Sequence, residues 1–109
     1  MLLPKIEKEI IHWTSHSKMK MRYYRFSESR VLHILRKPDR IEEGIASYTL
    51  AGMQKTGTKK HPTEAWLMFQ KKGKKIRIIS TWRYPGVTPI GARPTIPQDA
   101  LDELNLNKD

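Results

Sequence analysis

The segment from Lys75 to Tyr84, Lys-Ile-Arg-Ile-Ile-Ser-Thr-Trp-Arg-Tyr, limits the possible folds more than any other part of the chain. It is dense in β-branched and aromatic residues and contains neither Pro nor Gly, so it reads as a strand. Glu64 to Gln70 has the same character. Between the two runs lies Lys71-Lys72-Gly73-Lys74, whose glycine can take a positive φ, which predicts an antiparallel hairpin. With Lys72-Gly73 as a two-residue turn, Ala65, Leu67 and Phe69 fall opposite Ser80, Ile78 and Ile76 on a core face. Glu64, Trp66 and Met68 then face Thr81, Ile79 and Arg77 on the other side, with Arg83 further along. At its exit the strand projects Trp82, Arg83 and Tyr84, and an Arg between two aromatics can both pair with phosphate and stack on a base. This strand end is the first candidate site. A purely structural assignment would put Trp82 in the core, Tyr84 over an edge and Arg83 in solvent.

Upstream, Glu9 to Trp13 reads as a short strand closing at Thr14-Ser15, either of which can cap a helix running to Tyr24. His16, Met19, Lys20 and Tyr23 share one face of that helix. A second helix starts at Ser27 as N-cap, with Glu28 in its first turn and Phe26 placed to staple onto Val31. Val31, Ile34 and Leu35 form its buried stripe, Pro38 stops it, and His33 falls outside the stripe. Segments 40–46 and 47–54 read as two strands, with Gly44 and Gly52 as bulges or bends. Thr56 to Pro62 is a basic loop carrying Lys59, Lys60 and His61. After Pro85-Gly86, the prolines at 89, 94 and 97 predict an extended arm, followed by a short helix with Leu101 and Leu104 on one side.

The length of 109 residues fits one domain. Lys and Arg total 21 against 11 acids, for a net charge of +10. The last eleven residues carry Asp99, Asp102, Glu103 and Asp109 against Lys108, a net −3 that leaves +13 on residues 1–98. The expected organisation is therefore a basic body over 1–98, with its core at about 8–86, and an acidic helix or tail over 99–109. Such a body favours polyanions: nucleic acid, an anionic membrane surface or an acidic protein. With no cysteine, disulfides, thiolate metal sites and a Cys nucleophile are excluded. The apolar start Met1-Leu2-Leu3 is cut short by Pro4 and followed by charges, which leads to the expectation of a cytoplasmic protein with no membrane association. His12, His16, His33 and His61 have no metal-binding spacing and no phosphate loop is present, so neither metal nor cofactor is expected.

Cleavage of RNA needs only a base for the 2′-hydroxyl, an acid for the leaving oxygen and cations for the charged phosphorane. Candidate catalytic residues are His16 or Glu64 as base, His16 or Tyr84 as acid, and Lys20 and Arg83 as cations. Trp66, Trp82, Arg77, Lys59 and Lys60 are the candidate nucleic-acid-binding residues. Each also has a plainer reading: Glu64 pairing with a strand arginine, His16 satisfying a helix start, Lys20 solvated.

The order of elements, with His16-Ser17-x-x-Lys20-Met21, the Ser27-started helix ending in Leu35-x-x-Pro38-Asp39, and Ile78-Ile79-Ser80-x-Trp82-Arg83, resembles a little-characterised bacterial family similar to BrnT and RelE type toxins of the barnase, EndoU, colicin and RelE group. The resemblance covers about residues 8–86. Family members commonly have Ala at the position of Ser17 and an Arg-Gly pair where this chain has Tyr24-Arg25. The resemblance implies a metal-independent endoribonuclease of toxin type, acting on RNA and neutralised by an acidic antitoxin partner. The alternatives are a non-catalytic nucleic-acid-binding module and a protein-interaction domain. The expected fold is α+β: two N-terminal helices packed on a twisted antiparallel sheet of about four strands, with a short C-terminal helix.

Overall fold

A computed structural model describes residues 9–43, 49–91 and 96–106. In chain order the elements are β1 (Ile10–Trp13), α1 (Ser15–Tyr24), α2 (Glu28–Arg36), β2 (Arg40–Glu43), β3 (Thr49–Gly57), β4 (Pro62–Lys72), β5 (Lys75–Tyr84) and α3 (Gln98–Leu106). The fold is α+β as expected, with two corrections to the sheet. It has five strands, not four, in the order β1-β5-β4-β3-β2, and it is mixed, because β1 runs parallel to β5 while the other neighbours are antiparallel. The proposed bend at Gly44 lies outside the described residues. Gly52 makes no bend: it is buried within β3 under the end of α2, where a Cβ would lie in ordinary van der Waals contact, 3.6 Å from Pro38 Cβ and 3.8 Å from Ile34 Cγ2.

The helices start where local chemistry predicts. Ser27 accepts a hydrogen bond from Arg30 N at 3.0 Å and so caps α2, which buries Val31, Ile34 and Leu35. Thr14 caps α1 by accepting from Ser17 N at 3.0 Å. The junction between α1 and α2 holds a local exception. Arg25 has φ 61, the left-handed conformation usually filled by Gly, and Phe26 N reaches back to Met21 O at 2.8 Å to close the helix.

The hairpin forms, but its register corrects the expectation. Lys72 pairs with Lys75, so the turn residues are Gly73 and Lys74, with Gly73 at φ 58. An irregularity at Met68/Phe69 then shifts the pairing by one, placing Ser80 opposite Met68, Thr81 opposite Leu67, Trp82 opposite Trp66 and Arg83 opposite Ala65. Bulges leave strand carbonyls to be satisfied elsewhere. Here the Thr14 hydroxyl donates to Ile78 O at 2.8 Å and lies 3.3 Å from Ile79 O, so the start of α1 completes the bulge.

Both faces of the sheet are covered. On one face Met21 of α1, Phe26, and Val31, Ile34 and Leu35 of α2 pack on Ala65, Leu67, Phe69, Ile76 and Ile78 of the sheet. On the opposite face Ala100 and Leu104 of α3 cover Ala51, Met53, Trp66, Met68, Ile79 and Trp82. No helix among the described residues is long and apolar enough to cross a membrane.

Candidate functional site

The candidate residues separate into three groups. The first gathers where α1 meets α3. His16, half-buried, lies with Nε2 3.1 Å from Ser80 Oγ. One turn on, Lys20 Nζ makes an ion pair with Asp99 Oδ2 at 2.7 Å and stands 5.2 Å from both the Tyr23 and Tyr24 ring centroids. Partial burial disfavours the Lys20 ammonium, but the Asp99 hydrogen bond and charge outweigh it and hold the pKa above its ordinary value. Burial likewise opposes ionisation of Asp99, and the hydrogen bond and charge of Lys20, with a smaller contribution from His16, bring its pKa below the ordinary value. Beyond this cluster Arg77 bonds to Gln70 at 3.3 Å and approaches Glu103 of α3 at 3.9 Å. Lys20 and Arg77 thus both face acids of α3.

The second group is buried structure. Trp66 and Trp82 stack with ring centroids 6.2 Å apart and planes 7° apart, at 0% and 2% exposure, so no base can reach either ring in this arrangement. Glu64, 1% exposed, accepts from Trp66 Nε1 at 3.0 Å, Thr88 Oγ1 at 2.9 Å and Thr88 N at 3.2 Å. Arg40 completes the clasp from the far side: it donates to Thr88 Oγ1 at 2.8 Å and Thr88 O at 3.1 Å, pairs with Glu42 at 2.8 Å, and lies 5.2 Å from the Trp66 ring. These bonds hold the segment after β5 against the sheet. Glu64 is therefore surrounded by fixed donors, whereas a general base needs an accessible lone pair. Tyr84, half-buried, packs against the cluster under α3.

The third group is exposed. Arg83 does not share a face with Glu64, as the simple register required. The bulge puts it opposite Ala65, on the α1 and α2 side, with its guanidinium carbon 4.8 Å from the Phe26 ring centroid. Lys59 and Lys60 are exposed in the turn between β3 and β4, and the pairing of Gly57 with Pro62 and of Glu64 with Tyr84 places that turn at the end of the sheet where β5 finishes.

Thus His16 and Lys20 come together, Trp66 and Trp82 come together, and Glu64 and Arg83 do not. Sequence reasoning missed Ser80, Asp99, Arg40 and Thr88 as partners, because every one of those contacts joins residues far apart in the chain. Arg25 and Arg30 were also missed, although Arg25 stands where a helix-joining Gly was to be expected. A scan of protein-family models and searches of curated proteins and of solved structures return no match to this chain.

Proposed function

We propose that this chain binds RNA through a cationic surface built from α1, the α1–α2 junction and the end of the sheet bearing Arg83, Lys59 and Lys60. One observation carries the reading: six of the acids are engaged by ion pairs or hydrogen bonds within the fold. Among the described residues this leaves Glu28, Glu43 and Asp102 as exposed acids without an ion pair, while a larger set of cations is exposed and unpaired. Glu9 is paired with Lys71, Glu42 with Arg40, Asp99 with Lys20 and Glu103 with Arg77; Glu64 is held in the Thr88 clasp, and Asp39 accepts from Lys55 N. Lys18, Arg22, Arg25, Lys59, Lys60 and Arg83 are left exposed. An unneutralised patch of this kind releases counterions on meeting phosphates, so affinity falls linearly on a log-log plot against salt. Titrating a labelled oligoribonucleotide across salt concentrations tests this, and an affinity that is flat from low to physiological salt, or absent at low salt, removes it.

A second reading, metal-independent cleavage of RNA by a toxin-type endoribonuclease that an acidic antitoxin restrains, is favoured by the His16 cluster. A half-buried imidazole beside Lys20 has the chemistry to move a proton next to a cation that can meet a phosphorane. In that reading His16 serves as acid or base, the enclosed Glu64 takes no part, and Lys20 must exchange Asp99 for phosphate. The expected result is cleavage that persists in EDTA, leaves a 2′,3′-cyclic phosphate, spares DNA and slows roughly 10²- to 10⁴-fold in His16→Ala. RNA that is bound but left whole under varied pH and metal leaves the binding reading alone.

A further inference from the structure

Two arginines, Arg30 and Arg83, share the Phe26 ring at the α1–α2 junction, and Arg25 adjoins that ring in the chain. None of the three is in an ion pair, although Glu28 stands in the same first turn of α2 as Arg30. Arg83 stands 4.8 Å from the Phe26 ring centroid and Arg30, in the first turn of α2, lies 5.9 Å from the same ring. Arg25 directly precedes Phe26, exposed and held at φ 61. The ion pairs found among the described residues involve Lys20, Arg40, Lys71 and Arg77, and none of these three. Arg30 is half-buried, and its Nε is hidden from solvent with no hydrogen-bond partner. A sheltered, charged donor without an acceptor is unfavourable, and an anion on the guanidinium would offset that cost. Side-chain stems covering Phe26 would account for the apolar contact. They would not account for the unanswered Nε, nor for an arginine in a conformation that Gly adopts without strain.

Beside the arginines stands an open aromatic face. Tyr23 is 74% exposed and meets Tyr24 edge-on at 4.8 Å, and Tyr24 stacks on Phe26 at 6.0 Å. The row runs from a solvent-exposed ring to a buried one flanked by guanidinium groups. Exposed rings next to cations that track a backbone are how single strands are held, because every unpaired base offers a π-face.

We infer that the α1–α2 junction is a subsite for single-stranded nucleic acid, with Arg25, Arg30 and Arg83 on backbone phosphates and Tyr23 under an unpaired base. The inference rests on the RNA-binding reading and gives it a location. Single strands are favoured over duplex because a base can reach the Tyr23 ring only when it is free of its own stack.

The test is fluorescence anisotropy of the full chain with a labelled oligouridylate of about 12 nucleotides, within the usual span of single-strand sites. Arg83→Gln and Arg30→Gln should each weaken binding and flatten the slope of log K against log salt by roughly 0.7 for each phosphate no longer neutralised. Tyr23→Ala should weaken binding roughly fivefold or more while leaving the slope unchanged, since stacking releases no counterion. Lys74→Gln, at the opposite hairpin tip, should change neither. Arg25→Gly is the decisive variant: glycine adopts φ 61 freely, so the melting midpoint should hold or rise while affinity falls, the reverse of what a residue kept for structure would do. Because Arg25 and Tyr23 are exposed, both variants remain informative even if Arg83→Gln or Arg30→Gln unfolds. Wild-type binding with all four junction variants unaltered would overturn the subsite and leave RNA binding standing, whereas no wild-type binding would remove both. If polyglutamate of similar length bound equally well and was weakened by the same variants, the cluster would be a dock for acidic protein and the inference would fall.

Discussion

The two faces of the sheet are both buried, yet they are built differently. The face under α1 and α2 is closed by apolar side chains from two helices, with Val31, Ile34, Leu67 and Ile78 at 0% exposure. The face under α3 is closed by one short helix whose apolar contribution is Ala100 and Leu104, set between charged contacts at Asp99 and Glu103. The first is core in the ordinary sense, and the second is a stacked tryptophan pair framed by ion pairs and the Glu64 clasp. The difference separates stability from adaptability. Apolar burial is indifferent to pH and little affected by salt, while a helix held partly by charge responds to both.

The largest effect expected from this contrast is a core truncation on the first face. Leu67→Ala should destabilise the protein by about 2–5 kcal/mol, the usual range for a buried leucine. Leu104→Ala, at 8% exposure on α3, should fall at or below the low end of that range, because its surroundings can collapse onto the space it leaves. Denaturant unfolding of the two variants measures the gap. Equal destabilisation would mean that α3 is as integral to the fold as the paired helices.

A middle effect is expected at Glu64. A glutamine there replaces an acceptor oxygen with a donor amide facing the Thr88 N, Thr88 Oγ1 and Trp66 Nε1 donors, and leaving one of them unsatisfied costs about 1–3 kcal/mol. Glu64→Gln should therefore lower stability and release the segment around Thr88, seen as faster exchange of the Thr88 amide. An unchanged exchange rate would show that Arg40 alone secures that segment. The result also bears on chemistry, since a catalytic Glu64 would lose turnover without losing stability.

How much of this was legible in the sequence follows from how local each cause is. Helix α2 was readable because Ser27, Phe26, the Val31-Ile34-Leu35 stripe and Pro38 act within a few residues of one another. The hairpin was readable from Gly73, but its register was not. The bulge that sends Arg83 to the other face is completed by Thr14, 64 residues before its partner Ile78. The partners of Glu64 and His16, Thr88 and Ser80, likewise arrive only through tertiary folding. The acidic end of the chain reads as a tail by charge, because a net −3 and a two-leucine stripe do not reveal that Lys20 and Arg77 await it on the body. Arg25 hid its left-handed conformation because an arginine does not favour one as Gly or Asn does, and only the Gly found at this position in the family that the chain resembles hinted at it.

The smallest effect is the most specific to the second face. Lys20 and Asp99 form an ion pair in which Asp99 keeps 44% side-chain exposure, so its worth is at most about 1 kcal/mol and salt reduces it. Its pH dependence is set by both partners. The folded-state pKa of Asp99 lies below its ordinary 3.8, so its contribution is present above that value and lost as pH falls through the depressed one. The folded-state pKa of Lys20 lies above its ordinary 10.5, so its contribution is full below 10.5 and lost as pH rises through the raised value. Between those limits neither partner of the pair changes charge, and the docking of α3 should loosen at either extreme before the apolar face under α1 and α2 responds. Trp66 and Trp82 lie beneath α3, so their fluorescence reports the loosening. Asp99→Asn should remove the part of the acid-side change that Asp99 contributes, leaving the Arg77–Glu103 contact to respond by itself, and leave neutral-pH fluorescence nearly as before. If wild type and Asp99→Asn follow the same acid titration, the Lys20–Asp99 pair gives the docking of α3 no measurable help, and the contrast between the two faces rests on the Arg77–Glu103 contact alone.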